Sequence, residues 1–230
     1  VESPVLRRGS SSCTDLLILL ETPQDRLKVL CRTTVLSKNQ RRKPYYISLN
    51  TQSVKDNLDL RFSFSNSGEN TYSGNLDLKA LFKDFQKGEG VTADIEIMPT
   101  NFYLNDTIWN LRGSKVMIDK KTIEIDSLLL GHNSQFLCIT GKNAYDSNDR
   151  INVHFSDLQL GFFSDLIANK NISFNGITGG DLYVCQLFKQ PFFDGELYIY
   201  DGELNECVLG DLAVKAKWLK KDKCLDFDVD

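Results

Sequence analysis

Residues 58–65 read LDLRFSFS, an unbroken alternation of apolar and polar side chains. Successive side chains of a β-strand point to opposite faces, so this stretch predicts a strand with one apolar and one polar face. The alternation recurs at residues 91–97, 123–126, 151–155 and 196–200. A helix needs apolar residues three and four positions apart, and that spacing is rare in this chain. The sequence therefore predicts an all-β protein built from antiparallel amphipathic strands.

Turn residues separate these strands at short intervals. The segment TPQD at residues 22–25 predicts a hairpin that turns at Pro23, and YDSND at residues 145–149 predicts another turn. We expect GITGG at residues 176–180 to be a tight bend between strands and Asp201-Gly202 to be a turn. This punctuation indicates about sixteen strands at a spacing of roughly eight to twelve residues, which is typical of a sandwich, a barrel or an open solenoid.

Two segments depart from the period of two. Residues 161–168, GFFSDLIA, place four apolar side chains at helical spacing and predict one short helix. Residues 78–85 predict a second helical turn. The texture changes near residue 157, after which the strands are shorter and punctuated by glycine. We therefore expect residues 1–156 and 157–230 to be two regions of one continuous sheet, cut from a longer chain.

Composition excludes several classes of protein. Of the 230 residues 41% are hydrophobic, and the net charge is −4. No basic stripe is present, so we expect no nucleic-acid partner. No apolar run approaches the roughly 20 residues of a membrane-spanning helix, and any membrane anchor is expected outside this sequence. The six cysteines lack C-x-x-C spacing, so we expect them to pack as small apolar side chains, although disulfides stay open.

The sequence gives little support for an enzyme. His154 is expected on the outer face of a strand and His132 in a turn, and neither has a nucleophile or carboxylate at recognisable spacing. We therefore predict no catalytic, cofactor-binding or metal-binding residue. A glycosidase remains a third hypothesis, because three carboxylates of the last third are candidates for a close acidic pair. They are Asp181, Glu196 and Asp201.

Tyrosines offer a different chemistry. Tyr198 and Tyr200 alternate with Leu197 and Ile199 in one predicted strand. Exposed tyrosine rings can stack on sugars, but a strand that is apolar on both sides is expected to be packed on both sides. We therefore expect these two tyrosines to pack rather than to bind a glycan.

A series of motifs in the last third resembles a known family. Residues 171–184 read NISFNGITGGDLYV and are followed by QPFFDGEL at 190–197, DGEL at 201–204 and LGDL at 209–212. Upstream, LNDTIW at 104–109 precedes the strand at residues 123–130. The order and spacing of these motifs, over about residues 15–230, resemble the TamB family of the AsmA-like group, as it occurs in Bacteroidetes-type bacteria. The cysteines within strands depart from that family.

The resemblance implies a function without catalysis. It implies the periplasmic portion of an inner-membrane-anchored protein of a Gram-negative bacterium, in which strands curl into an elongated open β-groove, or β-taco. The groove would carry phospholipid acyl chains toward the outer membrane, or assist outer-membrane protein assembly with a partner of the Omp85 type. Nine residues are the candidate lining that faces lipid: Leu58, Leu60, Phe62, Phe64, Ile123, Ile125, Ile151, Val153 and Phe155.

Two alternatives remain open beside the groove. The same apolar residues would also form the core of a closed sandwich, since two sheets usually bury their apolar faces against each other. A secreted or surface β-sandwich that binds glycans or a protein partner is therefore the second hypothesis for the function. A structure distinguishes an uncovered apolar face from a covered one.

Overall fold

The computed structural model describes most of the chain. The described residues are 2–8, 11–23, 26–33, 35–38, 41–43, 45–66, 71–84, 90–145, 148–161, 173–189, 191–219 and 224–229. They form 19 strands, and the chain divides into two compact units, residues 1–120 and 121–230. Every strand pairing within these units for which a register is given is antiparallel. The predicted all-β, antiparallel fold is therefore confirmed.

Unit 1 is an antiparallel sheet in which two pairs of short strands each lie end to end along one longer strand. Its strands are β1 (Glu2–Arg8), β2 (Ser11–Glu21), β3 (Arg26–Thr33), β4 (Val35–Lys38), β5 (Arg41–Lys43), β6 (Tyr45–Val54), β7 (Asn57–Asn66), β8 (Tyr72–Asp84), β9 (Val91–Ile97), β10 (Thr100–Leu104), β11 (Thr107–Leu111) and β12 (Ser114–Ile118). They pair in the order β1, β2, β3, β6, β7, β8, β9, β12. Strand β2 pairs with β3 along one half of its length and with β4 along the other half. In the same way, β8 pairs with β9 along one half and with β10 along the other.

Breaks within strands explain why the structure has more strands than the predicted number of about sixteen. Met98 and Pro99 separate β9 from β10, although both strands lie along β8. Proline has no N–H to donate to a sheet, so it interrupts the ladder locally. The backbone N–H of Met98 still donates to the Asp77 carbonyl at 2.9 Å. Short strands on either side of Pro99 thus add to the number of strands.

Unit 2 is a simple meander in which each strand pairs with the next. Its strands are β13 (Thr122–His132), β14 (Gln135–Ala144), β15 (Arg150–Gln159), β16 (Phe174–Cys185), β17 (Phe192–Leu204), β18 (Cys207–Leu219) and β19 (Cys224–Val229). Bulges interrupt the register between Ile125 and Leu128 and between Phe155 and Leu158. A bulge bends its strand and increases the local twist.

The hairpin turns follow the sequence closely. Strand β2 ends at Glu21 and β3 begins at Arg26, so the predicted hairpin at Pro23 is confirmed. Asn105 and Asp106 connect β10 to β11 with φ values of 52° and 61°. Positive φ at both central residues is the requirement of a type I′ turn, whose twist matches that of the flanking strands.

Two predicted turns are wrong. Residues 176–180 lie inside β16, and Asp201-Gly202 lies inside β17 at a register shift. Gly176 and Gly180 both have a φ of 130°, and a Cβ at either position would lie within 3.0 Å of backbone atoms of β17. These glycines therefore allow a close approach between paired strands and do not reverse the chain.

The predicted second helical turn is also wrong. Residues 78–84 belong to β8, where Leu78 and Ala80 pair with Leu60 and Leu58 of β7. Backbone pairing with both neighbouring strands prevails over the local helical spacing. Leu160 and Gly161 are helical, and the other residues of the predicted helix lie outside the described residues. No helix among the described residues is long and apolar enough to span a membrane.

The division into regions 1–156 and 157–230 stays a prediction. In the structure the boundary between the two units falls between residues 120 and 121, whereas the sequence pattern changes near residue 157.

Candidate functional site: the apolar faces of the sheets

The four predicted lining residues of β7 lie on one face of unit 1. Residues directly opposite each other in a sheet share a face, so the register identifies their neighbours. Phe62 lies between Leu49 of β6 and Leu76 of β8, and Leu60 lies beside Leu78. Leu58 and Phe64 lie on the same face because they alternate with these residues. We call this surface the apolar face of unit 1: Leu58, Leu60, Phe62 and Phe64 with Ile47, Leu49, Leu76, Leu78, Ile95, Ile97 and Phe102.

Aromatic rings form one row across this face. The ring centroids of Phe62 and Phe64 are 6.1 Å apart, and those of Phe64 and Phe102 are 5.9 Å apart. Gly74 stands between Phe64 and Phe102 in the register. The Phe102 ring occupies the space that a side chain at residue 74 would need. Such ring separations are favourable for aromatic pairs.

The apolar face of unit 1 is only partly buried. Among the described apolar residues of unit 1, the buried ones are Trp109 and Leu111. Every residue predicted to line the groove on β7 is half-buried. Toward one end of the strands the face is more open, since Leu20 is 67% exposed and Val91 is 50% exposed. The extensive contacts among the strands of this unit join strands that are close neighbours in the sheet.

The other five predicted lining residues lie on one face of unit 2. Ile125 and Ile151 are on either side of Gly141, Val153 lies between Ile139 and Leu182, and Phe155 lies beside Leu137. Ile123 lies two residues before Ile125 on β13 and shares its face. Ile151 is buried and the other four are half-buried. We call this the apolar face of unit 2: Ile123, Ile125, Ile151, Val153 and Phe155 with Leu128, Leu130, Leu137, Ile139, Leu182, Val184, Leu197 and Ile199.

Glycines let the side chains of unit 2 lie flat against the sheet. A Cβ at Gly195 would lie 2.8 Å from Cδ2 of Leu182, and a Cβ at Gly176 would lie 3.0 Å from Cγ2 of Ile199. The apolar side chains of one strand therefore cover the glycines of the next. This is the structural role of the glycines in the motifs at residues 171–184 and 190–197.

The surface area of the chain agrees with partly exposed faces. The accessible surface is 15,320 Å² for a mass of 26.1 kDa. A compact protein of that mass exposes about 10,500 Å², and two separate compact halves about 12,700 Å². The chain therefore exposes more surface than two compact halves of its mass would.

Sequence reasoning missed more than half of the residues of each apolar face. Phe102 and Leu76 in unit 1, and Leu182 and Leu197 in unit 2, share the faces of the predicted residues. The alternation of their strands is the signal that identifies them. Glycines at positions 74, 180 and 195 interrupt that signal, because they occupy inward positions where an apolar residue would be expected.

The opposite face of unit 1 carries a row of alternating charge. The register aligns one residue from each of seven strands: Glu21, Lys28, Gln52, Asp59, Lys79, Glu96 and Lys115. In the adjacent row, Nε of Arg61 donates to Oδ1 of Asp77 at 2.6 Å. This bond and the guanidinium charge lower the pKa of Asp77 below its usual value. This face thus carries charged residues beside neutral ones, such as Leu30 and Asn50 in the row of Arg61 and Asp77.

The opposite face of unit 2 joins His154 to a carboxylate. Nδ1 of His154 lies 2.9 Å from Oδ1 of Asp181, and the Phe136 ring is 5.5 Å from the imidazole. The prediction that His154 lies on the outer face is confirmed, but the absence of a partner is wrong. Asp181 is also directly opposite Glu196, so two of the three candidate carboxylates are neighbours.

That histidine pair does not extend to a nucleophile. Cys138 is opposite His154 in the register, but its Sγ contacts Oγ of Ser127 at 3.9 Å. Within the described part of the chain, no group of three or more His, Cys, Asp and Glu side chains is placed to hold a metal ion. Cys31, Cys138, Cys185 and Cys207 carry thiols that are not joined in disulfides, and Cys207 is exposed.

The expectation that the tyrosines of β17 are packed is wrong. Tyr198 is 47% exposed and Tyr200 is 53% exposed, on the face opposite to Leu197 and Ile199. Tyr198 lies between Gly179 and Ala213 in the register. These small neighbours leave the sides of its ring uncovered.

Comparison with known proteins adds no assignment. No protein-family model matches the chain, and neither the curated proteins nor the solved structures contain a significant match.

Proposed function

We propose that the apolar faces of the two units carry phospholipid acyl chains, in the periplasmic portion of an inner-membrane-anchored protein. The observation that carries this proposal is that several apolar side chains at one end of the apolar side of unit 1 stay exposed. Leu20, Leu27, Phe82 and Val91 of this unit expose between 39% and 67% of their surface. Apolar side chains that are exposed together on one surface often mark a site where a protein binds another molecule.

The energetics favour an acyl chain as the ligand of such a surface. Burial of each CH₂ group of a lipid contributes roughly 0.8 kcal/mol, and the half-buried side chains of the face gain burial at the same time. Contacts of this kind have no direction. They therefore allow a chain to slide along the face, which transport requires. The resemblance to the TamB family implies the same activity and adds the Omp85-type partner and the direction toward the outer membrane.

Photo-crosslinking in cells tests lipid contact. A photoreactive amino acid is placed at Phe62 of unit 1 or at Phe155 of unit 2, and adducts are identified by mass spectrometry. Asp59 and Gln159 are the matched control sites, because they are exposed positions of the same two strands. We expect phospholipid adducts at Phe62 and Phe155 and few at Asp59 and Gln159. Equal yields at all four sites would refute the proposal.

A second candidate function is recognition of a glycan or of a protein partner. The exposure of Tyr198 and Tyr200 favours it, because exposed tyrosines are enriched where proteins bind other molecules. Binding on a glycan array together with absence of lipid in native mass spectrometry would favour this function over lipid transport.

A further inference from the structure

An aromatic and acidic patch occupies the polar face of unit 2. Its centre is the pair Tyr198 and Tyr200, and Ile177, which is 40% exposed, lies directly opposite Tyr200. We call this surface the tyrosine patch: Ile177, Tyr198, Tyr200 and the carboxylates Asp181, Glu196 and Glu203. It lies on the opposite side of the sheet from the apolar face of unit 2, because Tyr198 and Tyr200 alternate with Leu197 and Ile199.

The carboxylates lie on the same face as the two rings. Glu196 is the acceptor of a hydrogen bond from the Tyr198 hydroxyl at 3.5 Å. Glu203 accepts a bond at 3.5 Å from the Asn175 amide. Asp181 lies opposite Glu196, so two carboxylates stand side by side. Lys215, opposite Glu196 on β18, and His154, bonded to Asp181, are the basic side chains beside them.

Other tyrosines of this unit show which chemistry suits such rings. The Arg150 guanidinium carbon lies 3.8 Å from the centroid of the Tyr183 ring, and Nζ of Lys189 lies 4.3 Å from that of Tyr145. Both distances are within the range of cation–π attraction. In the part of the chain that the structure describes, no cation is found over Tyr198 or Tyr200. Tyr198 and Tyr200 thus have acidic neighbours, and no cation of the described residues covers their ring faces.

We propose that the tyrosine patch binds an arginine- or lysine-bearing segment of a partner protein. This proposal deepens the second candidate function and does not depend on lipid transport. Cations gain from the ring faces and from the adjacent carboxylates at once. A neutral glycan would stack on the rings and donate hydroxyl hydrogen bonds to the carboxylates, but it would gain no attraction between opposite charges. Charge complementarity therefore favours the basic segment.

Fluorescence anisotropy with the complete chain tests the proposal. The probe is a labelled octapeptide of alternating arginine and glycine, and a peptide with glutamine in place of arginine is the neutral comparison. We expect the arginine peptide to bind more tightly than the glutamine peptide. Each cation–π contact at an exposed site contributes a factor of roughly two to five, so Tyr198→Leu with Tyr200→Leu should weaken binding by roughly 4- to 25-fold. Tyr198→Phe with Tyr200→Phe should keep the affinity within about twofold, because the ring face remains.

A matched pair of variants controls for general electrostatics and for folding. Tyr46 and Tyr103 of unit 1 are 42% and 43% exposed, so Tyr46→Leu with Tyr103→Leu removes the same chemistry elsewhere. This control should leave peptide binding unchanged. Equal loss in the control, no loss in the Tyr198 and Tyr200 variant, or tighter binding of cellohexaose than of the arginine peptide would each overturn the proposal. Because the patch and the apolar face are on opposite sides, these outcomes are independent of the lipid crosslinks.

Discussion

The ring of Phe102 lies over Gly74 of the neighbouring strand, in the space that a Cβ at residue 74 would fill. Phe102 and Gly74 are directly paired in the register of β10 and β8. The ring also meets Phe64, whose Cε1 would be 3.2 Å from that Cβ. Glycine at this position therefore allows two aromatic rings to approach across an intervening strand, a known device for covering a glycine in a sheet.

Replacing Gly74 should destabilise unit 1. Gly74→Val forces the Phe102 ring out of its place, and overpacking of this kind typically costs about 1–3 kcal/mol. We expect that loss in the free energy of unfolding, measured by urea titration. Gly179→Ala is the matched control, since its new Cβ would meet only the Phe155 carbonyl oxygen at 3.5 Å. The double variant Gly74→Val with Phe102→Ala should couple the two positions, and strictly additive losses would contradict the contact.

A fully buried amide fixes the turn between β14 and β15 in unit 2. Nδ2 of Asn143 donates to the Asp149 carbonyl at 2.6 Å, and its Oδ1 accepts from the Leu187 N–H at 3.0 Å. Asn143→Ala leaves both backbone groups without this partner, and an unsatisfied buried group costs about 1–3 kcal/mol. We expect a loss of about 2–4 kcal/mol in the free energy of unfolding. Asn175→Ala, at an exposed asparagine, is the control and should lose under about 0.5 kcal/mol. A loss as small for Asn143→Ala would show that the turn is held by other contacts.

Local alternation was sufficient to predict the faces of the strands. Leu58, Leu60, Phe62 and Phe64 share a face because the period of a strand is two, whatever its neighbours are. The same logic failed at residues 78–84, where helical spacing of apolar side chains coincides with strand spacing. Pairing on both sides of β8 decides that case, and pairing is not visible within a short segment.

The interactions between distant strands could not be predicted. His154 and Asp181 are 27 residues apart, and only the register of β15 with β16 brings them together. The glycines of β16 were interpreted as a bend, because local sequence does not distinguish a turn from a close approach of two strands. Exposure of Tyr198 was missed for a similar reason, since it depends on Gly179 and Ala213 in the neighbouring strands.

The charged row of unit 1 should contribute to stability through its alternation. Lys79 lies between Asp59 and Glu96, so Lys79→Glu creates like charges on both sides. Each such cross-strand pair changes stability by roughly 0.2–1 kcal/mol, and we expect a total loss of about 0.5–2 kcal/mol. The loss should shrink in 1 M NaCl because salt screens exposed charges.

A charge swap distinguishes this effect from side-chain preference. In Asp59→Lys with Lys79→Asp, the pair across β7 and β8 regains opposite charges, and the other neighbour of residue 59 is the neutral Gln52. This double variant should recover about half of the stability that Lys79→Glu loses, because the repulsion between residue 79 and Glu96 remains. No recovery in the swap would mean that the charge pattern is not the cause.

Acid should weaken the attachment of the β10–β11 turn. The Thr71 N–H donates to Oδ1 of Asp106 at 2.8 Å, and this backbone bond, followed by a bond from the Thr71 side chain, lowers the pKa of Asp106 below its usual 3.8. A carboxylate with a depressed folded pKa stabilises the fold above its unfolded pKa, and the contribution disappears as the pH falls through the folded value. In unit 2 the equivalent turn residue is Asn205, whose Oδ1 accepts the Ser173 N–H at 2.8 Å and does not titrate. We therefore expect Asp106→Asn to keep the turn at neutral pH and to lose less stability than the wild type as the pH falls below about 4, measured by thermal unfolding. Asp106→Ala should be weaker at every pH, and an acid loss in Asp106→Asn equal to that of the wild type would exclude this carboxylate as the source.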